Sequence, residues 1–116
     1  MLGLTFKENV KDTRNSKVKD VIKKLQEYGV EVYAYGPMVE REEVEKRFNA
    51  RYLNSLDEAK GAGMEGVILA VLHNDFKAIT LEQLKEIMPQ NPVLVDVKSW
   101  YLKEKPQEKG FIYYAL

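Results

Sequence analysis

Gly66-Val67-Ile68-Leu69-Ala70-Val71-Leu72, followed at once by His73-Asn74-Asp75, is the stretch that decides the fold. An uncharged run of aliphatic and β-branched residues predicts a strand that is apolar on both faces, as a central parallel strand covered by helices is. On its amino-terminal side, Leu2 to Phe6 predicts a first strand, and Val18, Val21, Ile22 and Leu25 recur at helical spacing after a cap at Asn15 or Ser16. Gly29 stops that helix, Val30 to Tyr35 predicts a second strand closed by Gly36-Pro37, and Glu40 to Phe48 predicts a charged helix. Arg51 to Leu53 is a short third strand, and a weak helix capped by Ser55 runs through Leu56 and Ala59 to Gly61 or Gly63. On the carboxyl-terminal side, Thr80 caps a helix carrying Leu81, Leu84, Ile87 and Met88, which Pro89 ends. Val93 to Val97 predicts a fifth strand, and Phe111 to Tyr114 an edge strand. This alternation predicts an α/β fold: a three-layer, doubly wound parallel sheet of five or six strands with helices on both faces.

A length of 116 residues fits one domain, residues 1–116. At 45% hydrophobic and 31% charged, the chain can bury a core, and no apolar run approaches the roughly 18 residues of a membrane span. Eighteen Lys plus Arg balance eighteen Asp plus Glu, so no global field draws nucleic acid or an anionic membrane, and any anion site must be local. With no cysteine and a single histidine, disulfides, a cysteine nucleophile and a zinc site are excluded within these residues. The opening residues lack a charged start and a long apolar stretch, so no signal peptide is expected and the expected location is cytoplasmic.

In doubly wound sheets, ligands sit beyond the carboxyl ends of the strands, at the crevice where strand order reverses. The candidates there are the loop from Lys7 to Asn15, Gly36, His73-Asn74-Asp75 and Lys98-Ser99-Trp100. Lys7, Lys11 and Arg14 precede a helix whose first amide groups are unpaired, a combination that suits phosphate. The same loop also reads as a solvated charged surface. Neither a Gly-x-Gly-x-x-Gly nor a Gly-x-x-x-x-Gly-Lys motif follows the first strand, so a dinucleotide is not expected to bind these residues alone. His73 reads first as a local hydrogen-bonding residue, since no serine or cysteine nucleophile partners it. Asp96 and Lys98 read either as a turn pairing its own charges on the surface or as part of the site, and Trp100-Tyr101 as packing or as a base-stacking pair.

The loop has a family look. Gly3-Leu4-Thr5-Phe6-Lys7-Glu8-Asn9-Val10-Lys11-Asp12-Thr13-Arg14-Asn15-Ser16 resembles the Gly-x-x-Phe-Lys-x-x-x-x-Asp-x-Arg-x-Ser signature that opens the C-terminal domain of the UDP-glucose/GDP-mannose dehydrogenase family. Thr5 to Asn9 together with Asp96-Val97-Lys98 is most similar to the branch acting on UDP-N-acetylhexosamines such as UDP-N-acetylmannosamine or UDP-N-acetylgalactosamine. Tyr35-Gly36-Pro37 stands where the family usually has Tyr-Asp-Pro, and Ala70 to Phe76 echoes the segment after its central strand.

The resemblance implies the third, UDP-binding domain of an enzyme with an N-terminal Rossmann domain for NAD and a central helical region that makes a homodimer. Such enzymes oxidise the sugar C6 alcohol to a carboxylate in two hydride transfers, through a cysteine that forms a thiohemiacetal and a thioester. The glycine fingerprint and the cysteine are absent here, so the chain alone is expected to be inactive, with the NAD-binding and central domains as its partners. No catalytic or metal-ligating residue is assigned. Carried over by motif, Phe6, Lys7 and Thr13 contact the UDP-sugar from the end of the first strand, and Arg14 faces NAD. Lys98 stands where the UDP-glucose branch often has the Arg of Asp-Gly-Arg, keeping the charge but losing the planar fork. The chain begins directly on a buried strand, the pattern expected of a piece of a longer enzyme. The competing reading is a free-standing nucleotide-binding or scaffolding module without activity.

Overall fold

The computed structural model describes residues 1–5, 17–37 and 39–116. Among them are four helices, α1 (Val18–Glu27), α2 (Arg41–Arg47), α3 (Glu58–Ala62) and α4 (Leu81–Ile87). Five ladder strands accompany them, β1 (Tyr33–Ala34), β2 (Arg51–Tyr52), β3 (Gly66–Leu69), β4 (Val93–Asp96) and β5 (Ile112–Ala115). Each lies where the sequence predicts one, mostly with shorter ends, and β5 is shifted one residue toward the carboxyl terminus. α4 begins as its sequence requires: Thr80 Oγ1 accepts from the Gln83 amide while the Gln83 side chain accepts from the Thr80 amide. α3 ends at Gly63 in the left-handed region, one of the two stops expected. The caps expected for α1 at Asn15 or Ser16 lie outside the described residues.

All pairings are parallel, but the strands do not form one sheet. β1 and β2 make a two-stranded sheet, and β3, β4 and β5 a three-stranded one. The expected single sheet of five or six strands is therefore corrected, and the reason is local. Among the described residues, the predicted first strand contributes one bridged residue, Leu2, which pairs with Tyr35 on one side and Leu69 on the other. Directly after it Gly3 turns to φ +95°, outside extended geometry, and pairing stops. Leu2 is nonetheless held on both sides. Its amide donates to Ile68 O at 2.7 Å and its carbonyl accepts from Ala70 N at 2.9 Å, while Tyr35 N donates to Met1 O and Gly3 N to Tyr35 O, both at 3.0 Å.

Two apolar clusters lie on opposite faces, because alternate strand residues enter alternate clusters. Val32 and Ala34 pack with Val18 and Ile22 of α1 and Val44 of α2. Tyr33 and Tyr35 pack toward Val67, Leu69, Leu94 and Tyr113, together with Ala59 of α3 and Leu81, Leu84 and Ile87 of α4. Helices thus stand on both faces, but not over every strand. Ile68, which the sequence places under a helix, is half-buried, as are Val93 and Val95.

Two predictions follow from the amino-terminal segment. A Cβ at Gly3 would lie 2.6 Å from Val71 Cβ and 2.8 Å from its carbonyl oxygen, whereas one at Gly29, also at positive φ, meets nothing within 4 Å. Urea unfolding should show Gly3→Ala costing more than about 2 kcal/mol, strain and overpacking together, and Gly29→Ala only about 1 kcal/mol. In the 116-residue chain with a free amino terminus, the Met1 amine donates to Tyr33 O at 2.9 Å, and burial lowers its pKa from 8.0 to about 5. Between those values the unfolded state holds the extra proton, so stability should fall as pH drops from 8 to 5 and level off below. Acetylating the amine should remove that component from the urea midpoints.

Candidate functional site

The carboxyl ends of β3 and β4 and the end of the amino-terminal segment share one edge of the molecule, set by the parallel pairing of Leu69 with both Leu2 and Asp96. Beyond β3 the chain reaches His73, beyond β4 it reaches Lys98, and Thr5 follows Leu2 by three residues. The strand ends at which the sequence places its candidates therefore lie along one edge. Of the residues assigned from sequence, Lys98 is described and is exposed on this edge. Phe6, Lys7, Thr13 and Arg14 lie outside the described residues, so no geometry attaches to them.

Two buried polar arrangements hold this edge. Thr5 and His73, each 1% exposed, meet with Thr5 Oγ1 and His73 Nε2 3.2 Å apart. Phe76, in the 3-10 turn Asn74–Phe76, wedges between the His73 ring at 5.5 Å, edge-on, and the Tyr35 ring at 5.6 Å. His73 is thus oriented by a hydroxyl on one chain segment and an aromatic edge on another, a packed role that restricts its ring. Its interest is structural first: it ties the end of β3 to the start of the loop that carries the signature.

Asp96 corrects a sequence reading. It does not sit on the surface as half of a charged turn but is fully buried at the end of β4. Its Oδ2 accepts from the Tyr113 hydroxyl at 2.7 Å and from the Tyr101 amide at 2.8 Å, while its backbone carbonyl accepts from Ser99 N at 3.2 Å. One side chain thereby closes the turn from Val97 to Trp100 and ties it to β5. Oδ1 has no hydrogen-bond partner among the described residues. Burial and the bond to Asp96 keep the Tyr113 phenol protonated far above its usual range. Tyr101 is buried with its hydroxyl donated to Ile79 O at 2.8 Å, so it packs and does not stack on a base. Trp100 stays partly exposed, with the Lys77 ammonium 5.8 Å from its ring centre.

Gly36 is buried, and a Cβ there would stand 3.4 Å from Leu4 Cδ1 and 3.6 Å from Leu4 Cγ, an ordinary contact, so nothing in the structure explains why a glycine stands where the family usually has aspartate. Sequence reasoning did not find the Thr5–His73 pair, the Asp96 hub or the Lys77–Trp100 contact. Each joins residues far apart in the chain; the only local signal was a polar residue ending an apolar run. No grouping of three or more His, Asp or Glu suited to a metal occurs among the described residues, and none of their helices is long and apolar enough to cross a membrane.

Comparison with known proteins shows the family. Residues 1–103 match the UDP binding domain of the UDP-glucose/GDP-mannose dehydrogenase family, and the chain belongs to that family. It is 34% identical to a UDP-N-acetyl-D-glucosamine 6-dehydrogenase of Pseudomonas aeruginosa over 98 residues, 84% of this chain and 22% of that enzyme. It is 34% identical to a UDP-glucose 6-dehydrogenase of Rhizobium meliloti and 32% identical to a UDP-N-acetyl-D-mannosamine dehydrogenase of Methanocaldococcus jannaschii, each across the whole chain and 26% of the enzyme. The chain therefore spans about a quarter of the length of these relatives.

The Asp96 hub gives a direct test. Removing the Tyr113 hydroxyl leaves a buried carboxyl oxygen short of a donor, which costs about 1–3 kcal/mol. Tyr113→Phe should lower the urea midpoint accordingly, and Tyr114→Phe, two-thirds exposed beside it in sequence, should not.

Proposed function

We propose that residues 1–116 are the domain that grips the UDP part of a nucleotide sugar within a larger NAD-dependent UDP-sugar 6-dehydrogenase. Membership of the UDP-binding family carries this reading. The physical role is positioning. Binding energy from the diphosphate and uridine, remote from the reacting carbon, holds the C6 alcohol where other parts of the enzyme oxidise it to a carboxylate. Lys98 supplies a cation at the carboxyl end of β4, on a turn that Asp96 fixes. From the matched signature, Lys7 and Phe6 contact the same ligand, Thr13 shapes the site, and Arg14 faces NAD.

No glycine fingerprint follows the first strand, and at Gly3 the space of the missing Cβ is filled by Val71 of the same molecule, so neither feature supports NAD binding by these residues alone. NAD binding, the reactive cysteine, the homodimer and a cytoplasmic setting accordingly belong to the full-length enzyme in this reading. Relatives acting on UDP-N-acetylhexosamines and on UDP-glucose match to similar extents, so the sugar is specified outside the features shared by these sequences.

Half of an interdomain cleft leaves its ligand largely solvated, so the isolated chain should bind UDP weakly, with a Kd on the order of 1 mM. An NMR titration with UDP should move amide signals of the loops after Leu2 and after β4, and Lys7→Ala and Lys98→Ala should each weaken binding several-fold. Shifts confined to the opposite ends of the strands would overturn the assignment.

A further inference from the structure

The three-stranded sheet is covered on one face only. Val67, Leu69, Leu94 and Tyr113 point into the cluster beneath α3 and α4. The alternate residues, Ile68, Val93, Val95, Ile112 and Tyr114, belong to neither apolar cluster. Register lines them up in two rows across the strands, Gly66–Val93–Ile112 and Ile68–Val95–Tyr114. Ile112 is 48% exposed and Tyr114 61%.

The cause is topological. β3 reaches β4 through α4, whose apolar residues all enter the covered cluster, and β4 reaches β5 through a segment whose Tyr101 and Phe111 enter it too. Right-handed crossovers that step in one direction put every connection on the same side. The other side is served by α1 and α2, which stop at β1, β2 and the amino-terminal segment. Parallel sheets occur almost only with both faces covered, so this face lacks the layer such a sheet usually has.

We propose that this face is the seat of one amphipathic helix supplied by the rest of the dehydrogenase polypeptide. The proposal rests on the functional reading above, in which these residues are one domain of a longer enzyme. Three observations select that occupant. Three strands at about 4.8 Å spacing present a width that a single helix of about 10 Å diameter fills. Beside the rows runs an open groove of about 620 Å³ between the sheet and the end of α1, lined by Met1, Leu25, Val32, Ile68 and Val95, with Glu31 and Glu65 at its rim. That shape suits a helix with an apolar stripe and a basic flank. The relatives extend this chain roughly fourfold, so a helix from the same polypeptide faces no translational cost of association, which a second copy of the chain would.

These 116 residues hold no cysteine, so each introduced thiol is the only one among them. Ile112→Cys and Tyr114→Cys place thiols on the face, and Glu82→Cys places one on the exposed side of α4 beyond the covered face. Each is made in the 116-residue chain and in the full-length enzyme, and alkylation rates are read peptide by peptide. In the full-length enzyme both face thiols should react at least about tenfold more slowly than in the short chain, because a close-packed interface excludes the reagent, while Glu82→Cys should be unchanged. Equal rates in the two contexts overturn the proposal. So does protection in the short chain that grows with its concentration, the signature of self-association, and so does a natural polypeptide limited to these residues. UDP titration of the short chain is scored separately: binding there without face protection in the full enzyme sinks the helix seat and leaves the nucleotide reading standing.

Discussion

The backbone hydrogen bonds of Met1 to Gly3 are what the rest of the molecule depends on. A two-stranded and a three-stranded parallel sheet share no ladder, and it is Leu2, giving its amide to Ile68 and its carbonyl to Ala70 while its neighbours bond Tyr35, that joins them. Buried backbone groups left without partners are costly, so these few bonds fix the relative position of the sheets more firmly than their number suggests. The geometry demands a residue without Cβ at position 3, because Val71 already occupies that space. Once the sheets are aligned, the ends of β3 and β4 and the start of the signature loop come to one edge, and a nucleotide site can be assembled there.

At that edge, buried and exposed polar groups are divided between different residues. Thr5, His73 and Asp96 are buried and spend their polar atoms on neighbouring segments, whereas Lys98, Trp100 and Lys77 stay at the surface. The division is physically sensible. An exposed cation on a turn with a rigid base loses little ordering entropy when it meets a ligand. Asp96 supplies that base by holding the Tyr101 amide and the Tyr113 hydroxyl on one oxygen.

Family membership and the exposed sheet face describe one design from two sides. The connections among the described residues leave the outward rows of β3 to β5 outside both apolar clusters. The polar groups at the carboxyl ends of β3 and β4 and the outward rows of the three-stranded sheet are different sets of residues, so the two proposals above can be tested independently.

The α/β class, the order of elements and the family were legible in the residues themselves. Periodicity of Val18, Ile22 and Leu25 located α1, the Thr80 and Gln83 pair located the start of α4, and the run from Gly66 located β3, because these signals are local and the forces behind them act within a few residues. The ordered signature from Gly3 to Ser16 identified the family for a similar reason: a motif is a string. Tertiary structure alone decided that Gly3 cuts the first strand to one bridged residue, that Asp96 is a buried hub and not a surface partner, that Thr5 meets His73 across 68 positions, and that Ile68, apolar like its neighbours, lies on an uncovered face. Those outcomes depend on which distant segment arrives beside each residue, and on the handedness of the connections between strands, neither of which a linear pattern of side chains encodes.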